Sequence, residues 1–169
     1  MKIISRKLAL THLAINEIMQ CSEKDINNIL FADYLNEEGE HIEYSNIFND
    51  SVQDFLLNYF IDIKLKGYSN KYLQQFLTAL YKEKFSVIGD EDILEMCPCC
   101  HYLTLTNRGN YDVCPLCYWE DDGKSYNELD SYSSVNNSTL RVYRKKFEEK
   151  KFELDNIPYK SGKISYPEI

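Results

Sequence analysis

Four of the six cysteines in this chain form two Cys-Pro-x-Cys motifs, at 97–100 and 114–117, which are separated by thirteen residues. Two cysteines three positions apart can aim both sulfurs at one metal ion, because the tight turn between them directs backbone amides toward the thiolates. Pro98 and Pro115 preset the backbone angle for such a turn. Four sulfurs leave a tetrahedral ion no open position for water, so the spacing predicts a closed, structural zinc site. Iron in a rubredoxin-like site is the alternative, because the ligand type does not separate the two metals.

The first motif offers three sulfurs, because Cys99 stands beside Cys100. Use of Cys99 in place of Cys100 would break the match to the second motif, and the two adjacent cysteines would be strained as joint ligands of one ion. The predicted ligands are therefore Cys97, Cys100, Cys114 and Cys117. The alternative ligands are Cys99 and His101. As a free thiol, Cys99 is expected to pack as a small apolar side chain, with a redox role as the alternative.

The residues between and after the motifs predict a small hairpin with an aromatic cover. Leu103–Leu105 is expected to pair with 111–113 around the turn-forming stretch 107–110. The aromatic residues predicted to pack over the metal site are Tyr118 and Trp119. The acidic run at 120–122 is typical of a solvated turn, because adjacent carboxylates usually point in different directions and seldom share a cation.

The runs CPCCHYLTL and GNYDVCPLCYWEDDG resemble the bacterial cysteine-rich CPCC family. The matching positions are Cys97 to Cys100, Tyr102, Leu103, Thr104, Gly109, Tyr111, Cys114, Pro115, Cys117, Tyr118, Trp119, Glu120, Asp121 and Asp122. His101 departs from the family's usual glycine, and we expect a positive φ there. The opening residues look like the leader helix of longer members, so the resemblance is expected to extend over most of the chain. It implies a zinc-ribbon-like fold and a metal, and some relatives look like components of toxin and immunity neighbourhoods.

Apolar residues at helical spacing predict about four helices in the first half of the chain. Their expected N-terminal residues, chosen for the ability to cap a helix, are Ser5, Ser22, Asn49 or Asp50, and Ser69 or Asn70. A short strand is expected at 85–88, and a last helix is expected that Ser138 caps and that runs to about Lys151. The predicted class is α+β, with a helical domain at 1–90, a zinc-binding module at 91–125, a C-terminal helix packing on that module at 126–153 and an extended tail at 154–169.

The composition is that of an ordinary globular protein: 169 residues, of which 44% are hydrophobic and 27% charged. Polar residues interrupt the apolar positions near the N-terminus, so we expect neither a signal peptide nor a transmembrane helix. A cytoplasmic location is therefore expected. In that reducing compartment Cys-x-x-Cys pairs are metal ligands and not disulfides.

Charge is distributed unevenly along the chain. Eleven acidic residues and one lysine lie between Glu17 and Ile63, whereas the whole protein has a net charge of −8. Such a surface would repel nucleic acid and accelerate association with a basic protein. The residues predicted to bind this partner are Glu37, Glu38, Glu40, Glu43, Asp50 and Asp54. The predicted last helix has the opposite bias, and a basic helix beside a zinc module could contact phosphates.

No nucleophile elbow, phosphate loop or HExxH helix is present, so we expect no enzymatic activity. The sequence favours a non-catalytic, zinc-stabilised protein-binding module, of an immunity or regulatory type, that uses its acidic face. The first alternative is a nucleic-acid-binding regulator that uses the zinc hairpin and the basic helix. The second is a redox- or metal-responsive protein that acts through Cys99.

Overall fold

The computed structural model describes residues 1–151 and 156–162, and the predicted class, α+β, is confirmed. These residues form two compact units. The first contains Met1–Lys66 and Leu73–Asp90, and the second contains Gly67–Tyr72 and the described residues from Glu91 onward. The last two residues of the predicted segment at 126–153, and the tail at 154–169 except for 156–162, lie outside the described residues. Within the described ranges, no helix is long and apolar enough to cross a bilayer.

The first unit consists of helices and one small parallel sheet. Its elements are β1 (Lys2–Ser5), α1 (Arg6–Gln20), α2 (Glu23–Asp33), α3 (Asp50–Tyr59), a π-helical continuation (Phe60–Lys64), α4 (Asn70–Tyr81), whose first three residues belong to the second unit, and β2 (Phe85–Ile88). β1 pairs with β2 in parallel, from Lys2 opposite Phe85 to Ser5 opposite Ile88. The strand at 85–88 is confirmed, whereas β1 was not predicted. The partner of β1 lies at Phe85–Ile88, far away in the chain, so no local pattern indicates this pairing.

Capping side chains begin the first two helices at the predicted residues. The Ser5 hydroxyl accepts a hydrogen bond from the amide of Leu8 at 3.3 Å. The Ser22 hydroxyl accepts one from the amide of Asp25 at 3.2 Å and donates to the Asp25 carboxylate at 2.6 Å. These interactions satisfy amide groups that have no partner within the helix, so the start of each helix is determined locally.

One buried apolar cluster of the first unit lies between α2 and α3. Ile26 and Leu30 of α2 are buried against Val52 and Leu56 of α3, and Tyr34 closes the cluster. Their positions repeat every three or four residues, which places them on one face of each helix. These apolar stripes therefore form an ordinary hydrophobic core.

The second unit is built from short antiparallel strand pairs and one helix. Its elements from Glu91 onward are β3 (Glu95–Met96), β4 (Leu103–Leu105), β5 (Tyr132–Ser133), β6 (Ser138–Thr139) and α5 (Leu140–Lys151). β3 pairs with β4, and β5 pairs with β6. Residues 156–162 lie alongside two other segments of this unit, because Tyr159 bridges Tyr68 and Ser161 bridges Tyr102.

The predicted hairpin between the two motifs is wrong in its pairing. Leu103–Leu105 pairs with Glu95–Met96 and not with 111–113. The stretch 111–113 instead meets 119–121, where Val113 bridges Glu120. The reason is that each Cys-x-x-Cys turn reverses the chain, so the residues before each turn pair with the residues after it.

The start of the last helix is one residue later than predicted. Ser138 belongs to β6, and α5 begins at Leu140. The Thr139 hydroxyl accepts a hydrogen bond from the amide of Val142 at 3.4 Å, so Thr139 and not Ser138 occupies the capping position. Thr139 is a suitable cap, but the sequence does not show that Ser138 is used by a strand.

Candidate metal centre

The first Cys-x-x-Cys turn connects β3 to β4. The amide of Cys97 donates to the carbonyl of Tyr102 at 2.9 Å, and the amide of His101 donates to the carbonyl of Cys97 at 3.0 Å. The amide of Cys99 points at the Cys97 sulfur, at 3.4 Å from Sγ. An amide directed at a sulfur stabilises its thiolate form, as the spacing of the motif predicts.

The second turn repeats the same backbone arrangement. The amide of Cys114 donates to the carbonyl of Trp119 at 2.9 Å, and the amide of Tyr118 donates to the carbonyl of Cys114 at 2.8 Å. The fourth residue after the first cysteine has a positive φ in both turns, 64° at His101 and 62° at Tyr118. The expected positive φ at His101 is therefore observed, and Tyr118 is its structural equivalent.

The two turns bring four sulfurs together. The Sγ atoms of Cys97, Cys100, Cys114 and Cys117 all lie within 4.8 Å of one another. The distance from Cys97 to Cys117 is 3.6 Å, and that from Cys100 to Cys114 is 3.7 Å. A tetrahedron with metal–sulfur bonds of about 2.3 Å has edges of about 3.8 Å, so the spacing fits a zinc ion with four thiolate ligands.

Electrostatics in the cluster require a cation if all four sulfurs are to ionise. Hydrogen bonds from Cys100, Cys117 and Cys97 hold the pKa of the Cys114 thiol far below its ordinary value. The pKa of Cys100 is raised, first by its hydrogen bond to Cys114 and further by those to Cys117 and Cys97 and by burial. The thiolate form of Cys114 is thus stabilised, whereas ionisation of Cys100 is disfavoured. A divalent metal would compensate the remaining negative charge.

The two alternative ligands do not belong to this group of four sulfurs. Cys99 is 2% exposed and packs in the apolar cluster around the site. The His101 Nε2 atom is buried and has no hydrogen-bond partner among the described residues. Burial, followed by the charge of Arg144, lowers the pKa of His101. Both residues therefore lie beside the cluster and not in it.

Comparison with protein families gives a match to this region. The sequence model described as cysteine-rich CPCC matches residues 95–151, which run from β3 to the end of α5. Residues 95–151 are thus similar to the cysteine-rich CPCC family. The expected extension to the opening residues is not part of this match. Searches of curated proteins and of solved structures found no match to the chain.

Helix α5 of the CPCC region holds both turns. The Arg144 guanidinium donates two hydrogen bonds to the carbonyl of Pro98, at 3.0 and 2.8 Å. The Tyr143 hydroxyl donates to the carbonyl of Tyr118 at 3.2 Å. Adjacent residues of one helix thus hold the backbone of the first and the second turn. Sequence reasoning missed these contacts, because a basic helix is equally consistent with a solvated surface.

The aromatic cover of the CPCC site differs from the prediction at one of its two residues. Trp119 is fully buried in the cluster that contains the cysteines and meets the Tyr143 ring edge-on at 5.2 Å. Tyr118 is 71% exposed, so it does not cover the site. The positive φ at Tyr118 reverses the chain there and turns its side chain outward.

The acidic run at 120–122 is not a solvated turn, because Asp121 is fully buried. Its carboxylate accepts hydrogen bonds from Arg108 Nε at 2.7 Å and from the amide of Gly109 at 2.6 Å. Arg108 also donates to the carbonyl of Lys124 at 2.7 Å. This ion pair connects the loop after β4 to the residues after the second turn. The sequence signal was the alternation of Trp119 and Asp121, which places both on one side of an extended chain.

The hydroxyl of Thr104 contacts one of the sulfurs directly. The Thr104 hydroxyl lies 3.1 Å from the Cys114 sulfur, and Thr104 is nearly buried between the paired positions Leu103 and Leu105. A hydroxyl donor stabilises a thiolate and weakens its affinity for protons. The sequence placed Thr104 in a strand but did not show which sulfur it would meet.

The acidic residues predicted to bind a partner all lie in the first unit. All six have exposed side chains, namely Glu37, Glu38, Glu40 and Glu43 in the loop after α2, and Asp50 and Asp54 in α3. That loop is folded on itself, since the Asn36 side-chain oxygen accepts hydrogen bonds from the amides of Glu38 and Glu40 at 3.1 and 2.8 Å. Their role in partner binding stays a prediction.

Proposed function

We propose that this protein is a non-catalytic, zinc-stabilised, protein-binding module of the cytoplasm, of an immunity or regulatory type, whose acidic surface engages a basic partner protein. The metal would maintain the fold of the CPCC region, and the acidic residues of the first unit would provide the binding surface.

The closed shell of sulfur ligands supports a structural role for the metal. The four ligand residues are between 0% and 8% exposed, and Trp119 and Cys99 pack around them. A catalytic zinc site keeps a coordination position for water or substrate, and four thiolates fill all the positions of a tetrahedral ion. The metal is therefore proposed to contribute to stability and not to bind a substrate.

The exposure of the acidic segment is the observation that carries the binding proposal. Between Glu17 and Ile63 there are eleven acidic residues and one lysine, and all six of those assigned to the partner are exposed. Exposed charges of one sign repel each other and cost stability, so solubility alone does not account for such an excess. A basic protein surface would neutralise them and would be steered toward them.

The nucleic-acid alternative has less support. Helix α5 carries six basic residues, but three of them have partners within the second unit. Arg141 pairs with Asp130 at 2.6 Å, Arg144 holds Pro98, and the ammonium of Lys151 lies 5.8 Å from the centre of the Tyr102 ring. These contacts reduce the charge that this helix could offer to phosphates.

The redox alternative depends on Cys99, which is 2% exposed. Oxidants and thiol reagents act on thiolates that they can reach, and a buried thiol in an apolar cluster is inert. The burial of Cys99 favours its packing role over a redox role.

Affinity capture from a lysate of the native host tests the proposal. The wild-type protein and a variant with Glu37→Lys, Glu38→Lys and Glu43→Lys would serve as baits after nuclease treatment, so that nucleic acid cannot bridge the complex. The matched control carries Asp90→Lys, Glu95→Lys and Glu149→Lys, which changes the net charge equally at three other exposed residues.

The expected result is a basic protein that the wild type and the control retain and that the variant loses, with weaker retention as salt is raised. Equal recovery with all three baits would refute binding through the acidic surface. Retention of the wild-type protein on nucleic acid, lost with salt, would favour the nucleic-acid alternative instead.

A further inference from the structure

A groove of about 860 Å³ opens on the surface of the first unit. It is lined by the end of α1, the start of α2, the loop 44–48 and one face of α3. Ile26 and Leu56, at 5% and 0% exposure, form part of its lining from the core side. Met19 and Phe48 also line it, yet they are 80% and 75% exposed. The groove therefore joins the apolar core to large apolar side chains that the first unit leaves in water.

Hydrogen bonds tie the loop wall of this groove to the neighbouring helices. The Gln53 side-chain amide of α3 donates to the carbonyl of Ile47 at 2.7 Å. The Tyr44 hydroxyl donates to the side-chain oxygen of Asn27 in α2 at 3.3 Å. A wall that is already held in place loses less entropy on binding than a loop that must order first, so a ligand meets a preformed surface.

Carboxylates lie at the wall of the groove formed by the end of α1 and the start of α2. Glu23 lines it, as does Cys21. Burial raises the pKa of the Cys21 thiol, and the charges of Asp25 and Glu17 raise it further, while Lys64 opposes them. The carboxylates of Asp25 and Glu17 are therefore close enough to Cys21 to interact electrostatically with a ligand in the groove. The apolar lining and the acidic rim together match a ligand that is apolar on one side and cationic on the other.

We infer that this groove docks a basic amphipathic helix of a partner protein, with its apolar side chains between Met19 and Phe48 and its lysines or arginines opposite Glu23 and Asp25. The lining residues lie in helices and a loop and not in a strand, so no sheet edge is offered for strand addition. An amphipathic helix laid with its apolar face in a hydrophobic groove is a common mode of peptide recognition that fits this lining. The inference rests on the proposed function, because it names the site and chemistry of the basic partner.

A synthetic peptide tests the inference on the full-length, zinc-loaded protein. The probe is a fluorescent peptide of two consecutive Leu-Lys-Lys-Leu-Leu-Lys-Leu heptads, and its control is an isomer of the same composition whose order scatters the leucines around the helix. Fluorescence anisotropy at physiological salt should show binding of the first peptide, with the isomer weaker by about tenfold or more.

Substitution of two exposed apolar side chains tests whether the peptide binds in the groove or to the acidic surface in general. The Met19→Ser, Phe48→Ser variant should weaken peptide binding by about tenfold or more, because it removes both apolar anchors. A matched variant with Phe31→Ser and Ile93→Ser alters residues that are 76% and 98% exposed outside the groove, and it should bind as the wild type does. Far-UV circular dichroism checks that both variants are folded.

Labelling of the Cys21 thiol reports whether the groove is occupied. It is partly exposed, whereas the other five cysteines are buried. The peptide should therefore slow the reaction of Cys21 with a maleimide, and Cys21 already coupled to a bulky maleimide should block the peptide. Unprotected labelling at saturating peptide would overturn the inference.

Equal binding of the two peptides, or unchanged affinity in the Met19→Ser, Phe48→Ser variant, would overturn the groove as the docking site. Neither result would refute the proposal that the acidic surface binds a partner. That proposal is tested separately, by the affinity capture with the Glu37→Lys, Glu38→Lys, Glu43→Lys variant. Concentration-dependent dimerisation that the Met19→Ser, Phe48→Ser variant abolishes would also overturn the inference, since the occupant would then be a second copy of the chain.

Discussion

The two units are stabilised by different kinds of core. The buried cluster between α2 and α3 of the first unit consists of aliphatic side chains and one tyrosine. The cluster of the second unit contains nine buried residues, five of which are cysteines. Removal from water stabilises the first cluster by itself. The second also needs compensation for the charge of its sulfurs, so we expect it to depend on metal while the first unit does not.

Loss of one sulfur ligand should have the largest effect and should be confined to the second unit. Cys114→Ser removes a ligand of a site that can supply about 10–16 kcal/mol of apparent folding free energy. Trp119 is the sole tryptophan and is fully buried in the second cluster, so its fluorescence reports on this unit. The expected result is zinc loss and a red shift of tryptophan emission, with most of the helical circular dichroism retained.

Cys21→Ser is the matched control, because Cys21 lies in the first unit, outside the sulfur cluster. It should retain about one zinc per chain and an unshifted emission spectrum. Normal zinc content in Cys114→Ser, or collapse of both units together, would contradict the division between a metal-dependent and a metal-independent core.

A cavity in the first core should give the reverse pattern. Leu30 is 1% exposed, and Leu30→Ala is expected to lower the free energy of unfolding of the first unit by about 2–5 kcal/mol. Urea titration followed by far-UV circular dichroism measures this loss, while zinc content and tryptophan emission should not change in the absence of urea. Leu80→Ala, at a residue that is 45% exposed, should cost much less. Zinc release from Leu30→Ala would show that the units are not independent.

The ion pair between Arg108 and the buried Asp121 is expected to contribute to the stability of the second unit independently of the metal. Asp121→Asn leaves Arg108 without its counter-charge and should lower stability by roughly 3 kcal/mol, the lower end of the effect of breaking a buried pair, because the Arg108 side chain is 26% exposed. Chemical unfolding followed by Trp119 fluorescence measures the change. Asp130→Asn makes the same substitution in the exposed pair with Arg141 and should have little effect. Equal stability of the two variants would argue against an energetic role for Asp121.

The smallest expected effect concerns a helix cap in the first unit. Ser22→Ala removes the acceptor for the amide of Asp25 and should lower stability by about 1 kcal/mol. Thermal unfolding followed by circular dichroism detects such a change, with Ser134→Ala, at another exposed serine, as the control. A larger loss in the control than in Ser22→Ala would mean that the cap is not the relevant contact.

Much of the local structure could be predicted from the sequence, and the reason differs between the units. In the first unit, Ser5 and Ser22 cap helices through contacts that span three residues, so a local pattern contains the whole interaction. In the second unit, each Cys-x-x-Cys turn is likewise local, and its spacing indicated which sulfurs would meet. The amide of Cys99 directed at the Cys97 sulfur is a direct consequence of that spacing.

Two of the errors concern partners that are distant or interchangeable in the sequence. Leu103–Leu105 could pair with residues on either side, and only the reversal of the chain at the first turn selects Glu95–Met96. Asp121 lies in an acidic run where solvent exposure is the usual outcome, and its burial depends on Arg108, thirteen residues away.

The sequence by itself determined which four sulfurs meet, because two Cys-x-x-Cys spacings are suited to the ligands of one tetrahedral ion. It also indicated the buried faces of α2 and α3, since apolar periodicity is a property of the chain before it folds. On α1 the pattern was misleading, because the apolar residues Leu8, Ile15 and Met19 are exposed. Only the tertiary structure decided which strands pair, that Tyr143 and Arg144 hold the two turns, and that Met19 and Phe48 border an open groove. Those outcomes depend on contacts between residues far apart in the chain, whose energies no local pattern records.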